Sequence, residues 1–218
     1  MEQRLLVEGK TDMYVFTEIC RKLGLPTIKY HETRIKYEKF IETGSWKNDF
    51  LRQVEAILPL NDGKLNFGMI IDADQDIKAK WDALSGILRN GGFKDLPKQF
   101  PTDGLVVEQL DLPKIGIWIM PDNQSKGYIE YFLLDLIVDP NNLMRDVRRV
   151  LDKLEMENRT LFSPIHRKKA ELYTWLAWQE KAGLPFGTAI RANYFNLDHP
   201  NVEAFVKWAK KIFEFNEK

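Results

Sequence analysis

The feature that most constrains the fold is the run Phe67-Gly-Met-Ile-Ile71, which is almost wholly apolar and stops abruptly at Asp72. A central strand of a parallel sheet is covered by helices on both faces, so its side chains are apolar throughout instead of alternating. The shorter run Arg4-Leu-Leu-Val7 stops at Glu8 in a similar way. Such strands, separated by helical patterns, predict an α/β fold with a mostly parallel sheet flanked by helices.

Further patterns along the chain extend this prediction. A second strand is expected between Ile28 and Tyr37, and two more are expected at Leu105–Val107 and Ile115–Met120. Beyond about residue 140 the apolar spacing is helical throughout, and no Ser- or Gly-rich linker precedes it. We therefore expect an α/β domain over residues 1–138, and a helical C-terminal extension over residues 139–218 that packs on the same domain.

The residue types available restrict the kind of site. One cysteine and three scattered histidines argue against a disulfide framework, a cysteine-rich zinc site and a histidine metal cage, so a bound metal would have oxygen ligands. The sequence has no signal region and no apolar stretch of membrane-spanning length, so a cytoplasmic protein without a membrane partner is expected. Basic and acidic residues balance at 32 each, so nucleic acid would require a local patch.

Carboxylates follow the two clearest strands at the point where each strand ends. Glu8 follows the first and Asp72 the third, and ligands of parallel sheets bind beyond the carboxyl ends of the strands. Neighbouring carboxylates raise each other's pKa, whereas a divalent cation makes their proximity favourable. Asp74 adds a further acceptor, and Asp76 suits either a metal ligand or the N-cap of the next helix. Mg²⁺, with Mn²⁺ as its substitute, prefers oxygen ligands and keeps several waters.

These two segments resemble motifs of the TOPRIM superfamily. Leu5-Leu-Val-Glu-Gly-Lys-Thr-Asp12 resembles the motif in which a strand ends in Glu-Gly, and Ile70-Ile-Asp-Ala-Asp-Gln-Asp76 resembles the strand that ends in Asp-x-Asp. The superfamily includes bacterial primases, topoisomerases, small ribonucleases, recombination mediators and overcoming-lysogenization-defect (OLD) nucleases. The resemblance implies a TOPRIM/Rossmann-like sheet, a general acid or base role for Glu8, and Mg²⁺ binding by Asp72 and Asp74.

Within that superfamily the chain is similar to small stand-alone TOPRIM-like proteins of unknown function, the DUF3226 type, related to OLD nucleases. The segment Ile117–Asn123 and the helix containing Glu130 resemble a strand and an acidic helix of those proteins, which implies that Glu130 binds a second metal. Arg167-Lys-Lys-Ala170 resembles their lysine-bearing helix, which implies that Lys169 stabilises a phosphate group. The ATPase, tyrosine-bearing and zinc-binding parts of larger relatives are absent from this sequence, which argues against their additional activities.

Two further groups of residues are candidate contacts for a phosphate or a nucleic acid. Gly9, Lys10 and Asp12 open the first helix, and a helix N-terminus presents backbone amides to an anion. Asp122 and Asn123 follow a predicted strand near the same sheet edge, although these residue types fit a turn equally well.

Rival motifs explain these residues less completely. A P-loop ending in Gly9-Lys-Thr11 would need a glycine where the chain has Arg4, and a calcium loop starting at Asp72 would need a glycine at Ile77 and a glutamate at Ala83. The haloacid-dehalogenase phosphatase motif also places Asp-x-Asp after an apolar strand, but it leaves the earlier Glu-Gly ending unexplained.

Three functions are therefore open at the level of sequence. The first is Mg²⁺-dependent cleavage of phosphodiesters in DNA or RNA, with water as the nucleophile. The second is a non-catalytic module that binds Mg²⁺ with a nucleotide or a nucleic-acid end as part of a larger complex, which the short chain and neutral net charge favour somewhat. The third is a phosphatase acting on small phosphate esters.

Overall fold

The computed structural model describes residues 2–24, 41–44, 49–60 and 65–213. Its strands are β1 (Glu2–Val7), β2 (Ile41–Thr43), β3 (Leu65–Asp72), β4 (Leu105–Val107) and β5 (Lys114–Met120). They form one five-stranded sheet in the order β2-β1-β3-β5-β4. All neighbouring pairs are parallel except β4 with β5, which is antiparallel. The prediction of an α/β fold with a mostly parallel sheet is confirmed.

Helices connect and flank these strands. None of the described helices is both long enough and apolar enough to cross a membrane. The described α-helices are α1 (Lys10–Lys22), α2 (Leu51–Ile57), α3 (Ile77–Asn90), α4 (Ile129–Asp135), α5 (Leu143–Met156), α6 (Arg167–Ala177), α7 (Phe186–Arg191) and α8 (Pro200–Ile212).

The sheet separates two layers of buried side chains. In β1, Leu5 and Val7 belong to one hydrophobic cluster and Leu6 to the other, as the two-residue period of a strand requires. The first cluster lies under α1, α4 and the C-terminal helices, and the second lies under α2 and α3. Both faces of β3 are therefore covered, which explains its unbroken apolar run.

The C-terminal helices share the first of these clusters. The rings of Trp208 in α8 and Trp118 in β5 have centroids 5.8 Å apart, and the Trp208 indole donates a hydrogen bond to the Leu105 carbonyl oxygen at 3.0 Å. Helix α7 packs against α1, where a Cβ added to Gly187 would lie 3.0 Å from the Tyr14 carbonyl oxygen. The predicted extra helices are confirmed, and the boundary at residue 138 stays a prediction.

One predicted strand cannot be compared with the structure. The segment between Ile28 and Tyr37 lies outside the described residues. The second described strand, β2, begins at Ile41, which pairs with Leu5 of β1.

Candidate active site

Two of the predicted site residues meet where β1 and β3 end. Val7 pairs with Ile70, so the two strands run out at the same edge of the sheet. There the Asp72 backbone N–H donates a hydrogen bond to Glu8 Oε1 at 2.9 Å. The parallel pairing thus brings together two acidic residues that are 64 positions apart in the chain.

The first turn of α1 adds a third carboxylate. The helix begins after Gly9, whose backbone N–H donates to Asp12 Oδ2 at 2.8 Å. A carboxylate in the first turn is stabilised by the free backbone amides and by the helix dipole. Asp12 was predicted as a phosphate contact, and that role stays a prediction; the structure places its carboxylate in the same cleft as Glu8 and Asp72.

The loop after β3 is held against the loop after β5. The Asp74 backbone N–H donates to the Gly127 carbonyl oxygen at 2.9 Å, and the Gly127 N–H returns a bond to the Asp74 carbonyl oxygen at 2.8 Å. Gly127 has a φ of +139°, and a Cβ added there would lie 2.8 Å from Tyr131 Cγ. Glycine is therefore required at this contact, which places the start of α4 and its Glu130 beside the carboxylates.

Lys80 is the site residue that the sequence analysis missed. It is buried, and its ammonium lies 2.8 Å from Asp74 Oδ2 and 3.6 Å from Glu8 Oε1. A signal was present in the sequence, because Lys80 follows Ile77 by three residues and precedes Leu84 by four. Those spacings put a lysine on the apolar face of a predicted helix, where it needs a carboxylate partner.

Helix α6 supplies the opposite wall of a cleft of about 410 Å³. Lys169 lies there with its ammonium 3.5 Å from Glu130 Oε1, and Glu130 is only 5% exposed. Glu130 was predicted to bind a second metal and Lys169 to stabilise a phosphate group; the two side chains lie beside each other in the cleft, and both roles stay predictions. The cleft is lined by Glu8, Gly9, Lys10, Thr11, Asp12, Asp72, Asp74, Tyr128, Ile129, Glu130, Ile165, His166, Lys169 and Tyr173.

The carboxylates of the cleft perturb one another. Burial raises the pKa of Asp72 well above its usual range, and the neighbouring charges of Asp12, Glu8 and Glu130 raise it further. Burial and the same kind of repulsion raise the pKa of Asp12 to about 7. Burial also raises the pKa of Glu8, although the Lys80 ammonium opposes this. Such a cluster favours a bound cation, since a positive charge removes the repulsion that otherwise favours protonation.

Three predicted residues lie outside the lining of this cleft. Asp76 is exposed and caps α3, with its side chain accepting a hydrogen bond from the Ala79 N–H at 3.0 Å. Asp122 accepts the Ser125 N–H at 2.6 Å in a tight turn. Asn123 is buried and accepts the Ile119 N–H at 2.7 Å. Local hydrogen bonds thus account for all three side chains, and their metal or phosphate roles stay predictions.

A hard divalent cation fits the chemistry of the donor set. Five carboxylates face the cleft, and among the described residues no group of three or more His, Cys, Asp or Glu side chains is already arranged to hold a metal ion. Glu8 and Asp74 both contact the Lys80 ammonium. The Lys80 ammonium therefore shows a position at which the carboxylate oxygens of Glu8 and Asp74 contact a positively charged group.

Comparisons with known proteins identify the family of this chain but no individual relative. Neither a curated protein nor a solved structure matches the chain. The family model described as "Protein of unknown function (DUF3226)" matches residues 2–214. Since the match covers almost the whole chain, this protein belongs to the DUF3226 family.

Proposed function

We propose that this protein is a TOPRIM-type, Mg²⁺-dependent enzyme related to OLD nucleases, which cleaves phosphodiester bonds in DNA or RNA. The proposal rests on one observation, the position of the Asp72 carboxyl. It lies at the end of a central parallel strand, and its pKa is raised by burial and by four neighbouring carboxylates. Perturbed carboxylates in a cleft at this edge of an α/β sheet are a common property of active sites that use metals.

The residues of the cleft can divide the chemistry among them. Carboxylate oxygens of Asp72, Asp12 and Glu130, with those of Glu8 and Asp74, would hold Mg²⁺. When bound, the ion would polarise a phosphoryl oxygen and lower the pKa of an attacking water. The pKa of Glu8 is raised, which is the shift that a carboxyl group requires in order to transfer a proton during the reaction.

Lys169 and the start of α1 supply positive potential to the phosphate. The Lys169 side chain is half exposed, so it reaches both Glu130 and the open cleft. Lys10 lines the same cleft, and the helix N-terminus beside it carries partial positive charge. Such groups stabilise the charge that develops on a phosphate in the transition state. Removing one of them lowers the rate of the reaction by about 10²–10³-fold.

A cleavage assay with matched variants tests the proposal. Labelled single-stranded DNA, duplex DNA and RNA are incubated with wild-type protein in Mg²⁺, in Mn²⁺ and in EDTA. Asp72→Asn should abolish metal-dependent cleavage, whereas Asp82→Asn, on the exposed face of α3, should retain it. Lys169→Met should reduce the rate about 10²-fold. If wild type cleaves none of these substrates, or Asp72→Asn cleaves as fast as wild type, the proposal is wrong.

A second candidate is favoured by the size of the cleft. About 410 Å³ is within the range of small-ligand sites, so a mononucleotide or a nucleic-acid end would fill it. The chain would then be a non-catalytic Mg²⁺- and nucleotide-binding module of a larger complex. Calorimetry that shows nucleotide binding in the presence of Mg²⁺, without product release, would support this function. A small-molecule phosphatase would instead hydrolyse a chromogenic phosphate monoester.

A further inference from the structure

Lys80 is enclosed by the cluster that is proposed to bind the metal. The side chain is 8% exposed, and its ammonium contacts Asp74 Oδ2 at 2.8 Å and Glu8 Oε1 at 3.6 Å. These two carboxylates follow the ends of different strands, and the Lys80 ammonium of α3 contacts both of them. A buried ammonium is stable only when carboxylates surround it, so the three groups hold one another in place.

The charge count of the cleft also depends on this lysine. Five carboxylates, those of Glu8, Asp12, Asp72, Asp74 and Glu130, are balanced in part by the ammonium groups of Lys10, Lys80 and Lys169. Two formal negative charges are left. One divalent cation neutralises them, whereas a second would leave the cleft with two positive charges and strong repulsion between the ions.

We propose that Lys80 is the buried basic residue of the acidic cluster that holds Glu8 and Asp74, and that it occupies the place where a second metal ion would otherwise bind. The protein then takes up a single divalent cation, at the side of the cleft formed by Asp12, Asp72 and Glu130. Lys80 is a positioning residue in this arrangement, since it acts through the carboxylates it contacts. The inference rests on the proposed function, because it concerns the same metal site. It narrows the ligands proposed there to Asp12, Asp72 and Glu130, and it makes Glu8 and Asp74 contacts of Lys80 instead.

Counting bound Mn²⁺ tests this directly. Titration of the full chain with Mn²⁺, followed by calorimetry and by the electron paramagnetic resonance signal of the free ion, gives the number of ions bound. Wild type should bind one ion. Lys80→Met, which keeps the length of the side chain but removes the charge, should bind two, and Lys80→Arg should bind one. Lys78→Met is the matched control on the exposed face of α3 and should also bind one.

A second variant makes the result independent of whether Lys80→Met folds. Asp74→Asn should weaken Mn²⁺ binding by less than about 10-fold, as expected for a group that acts from outside the ligand set. Asp72→Asn should abolish binding. Two ions in wild type, one ion at unchanged affinity in a folded Lys80→Met, or loss of binding in Asp74→Asn would each overturn the inference.

The same titrations separate this inference from the proposed function. A wild type that binds one Mn²⁺ and gains a second site in Lys80→Met, yet cleaves no nucleic acid, supports the role of Lys80 and rejects the enzymatic activity. Metal-dependent cleavage by a protein whose Mn²⁺ count is the same with and without Lys80 supports the activity and rejects the role of Lys80. Absence of Mn²⁺ binding in every variant rejects both.

Discussion

Replacing Asp12 by asparagine should stabilise the protein at pH 8 when no divalent cation is present. The pKa of Asp12 is about 7 in the folded protein and 3.8 in its ordinary state. Between about pH 4 and pH 7 the folded state therefore binds more protons than the unfolded state. The stability that the Asp12 carboxyl contributes is greatest at low pH and is lost as the pH rises through that window. An asparagine side chain does not ionise, so the variant does not lose stability in this way.

The size of the effect follows from the pKa difference. At about 1.4 kcal/mol per pKa unit, the ionisation of Asp12 costs the fold at most about 4 kcal/mol by pH 8. Partial exposure of the side chain reduces that figure. Asparagine can still accept the Gly9 N–H, but it loses the charge beside the helix N-terminus, worth roughly 0.3–1 kcal/mol. A net gain of about 1–3 kcal/mol is expected, or roughly 3–10 °C in Tm for a chain of this length.

Thermal unfolding followed by circular dichroism in EDTA measures this gain. Wild type, Asp12→Asn and the exposed control Asp82→Asn are compared at pH 8 and pH 4. At pH 4 the advantage of Asp12→Asn should fall below about 1 kcal/mol, because the unfolded aspartate is then partly protonated as well. Equal or lower Tm for Asp12→Asn at pH 8, or the same gain at both pH values, would refute the assignment of Asp12 to a repulsive cluster.

Two local features of the site give further predictions. Gly127→Ala should destabilise the fold by about 1–3 kcal/mol and weaken Mn²⁺ binding, because the added methyl group meets the Tyr131 ring at a positive φ. The control Gly86→Ala, with open space in the middle of α3, should stabilise it by about 0.5–1 kcal/mol. Asp76→Ala should cost about 1 kcal/mol through loss of the helix cap, with Mn²⁺ affinity unchanged; a large loss of affinity would instead identify Asp76 as a ligand.

The sequence predicted those parts of the site that depend on strand ends. The apolar run of β3 identifies a central parallel strand by itself, and the residues that follow parallel neighbours must share one edge. That is sufficient to bring Glu8 to Asp72, and the hydrogen bond between them follows from the register of the two strands. The fold class was predictable for the same reason, since it depends on periodicity within short segments.

Residues whose role depends on how helices and loops lie on the sheet were less predictable. The contact of Lys80 with Glu8 depends on where α3 packs against the sheet, which the sequence pattern of α3 alone does not give. Asp122 and Asn123 do follow a strand at the same edge, but the turn after β5 directs their oxygens to local backbone N–H groups. The sequence left open whether these two residues form a turn or contact a ligand, because local hydrogen bonds of this kind depend on the exact path of the backbone.

The cost of the acidic cluster is itself an argument for a cation. Within the described part of the chain, no donor contacts the Asp72 carboxylate, while four other carboxylates raise its pKa. An apolar side chain would avoid that cost, so the presence of the carboxyl supports the proposal of a ligand that brings positive charge. Protons and the cation then compete for the same oxygens, and Mn²⁺ affinity should rise with pH up to about 7, where Asp12 has lost its proton, and change less above it. Calorimetric titrations at pH 6, 7 and 8 that gave one and the same affinity would show that the metal, if bound, uses other groups.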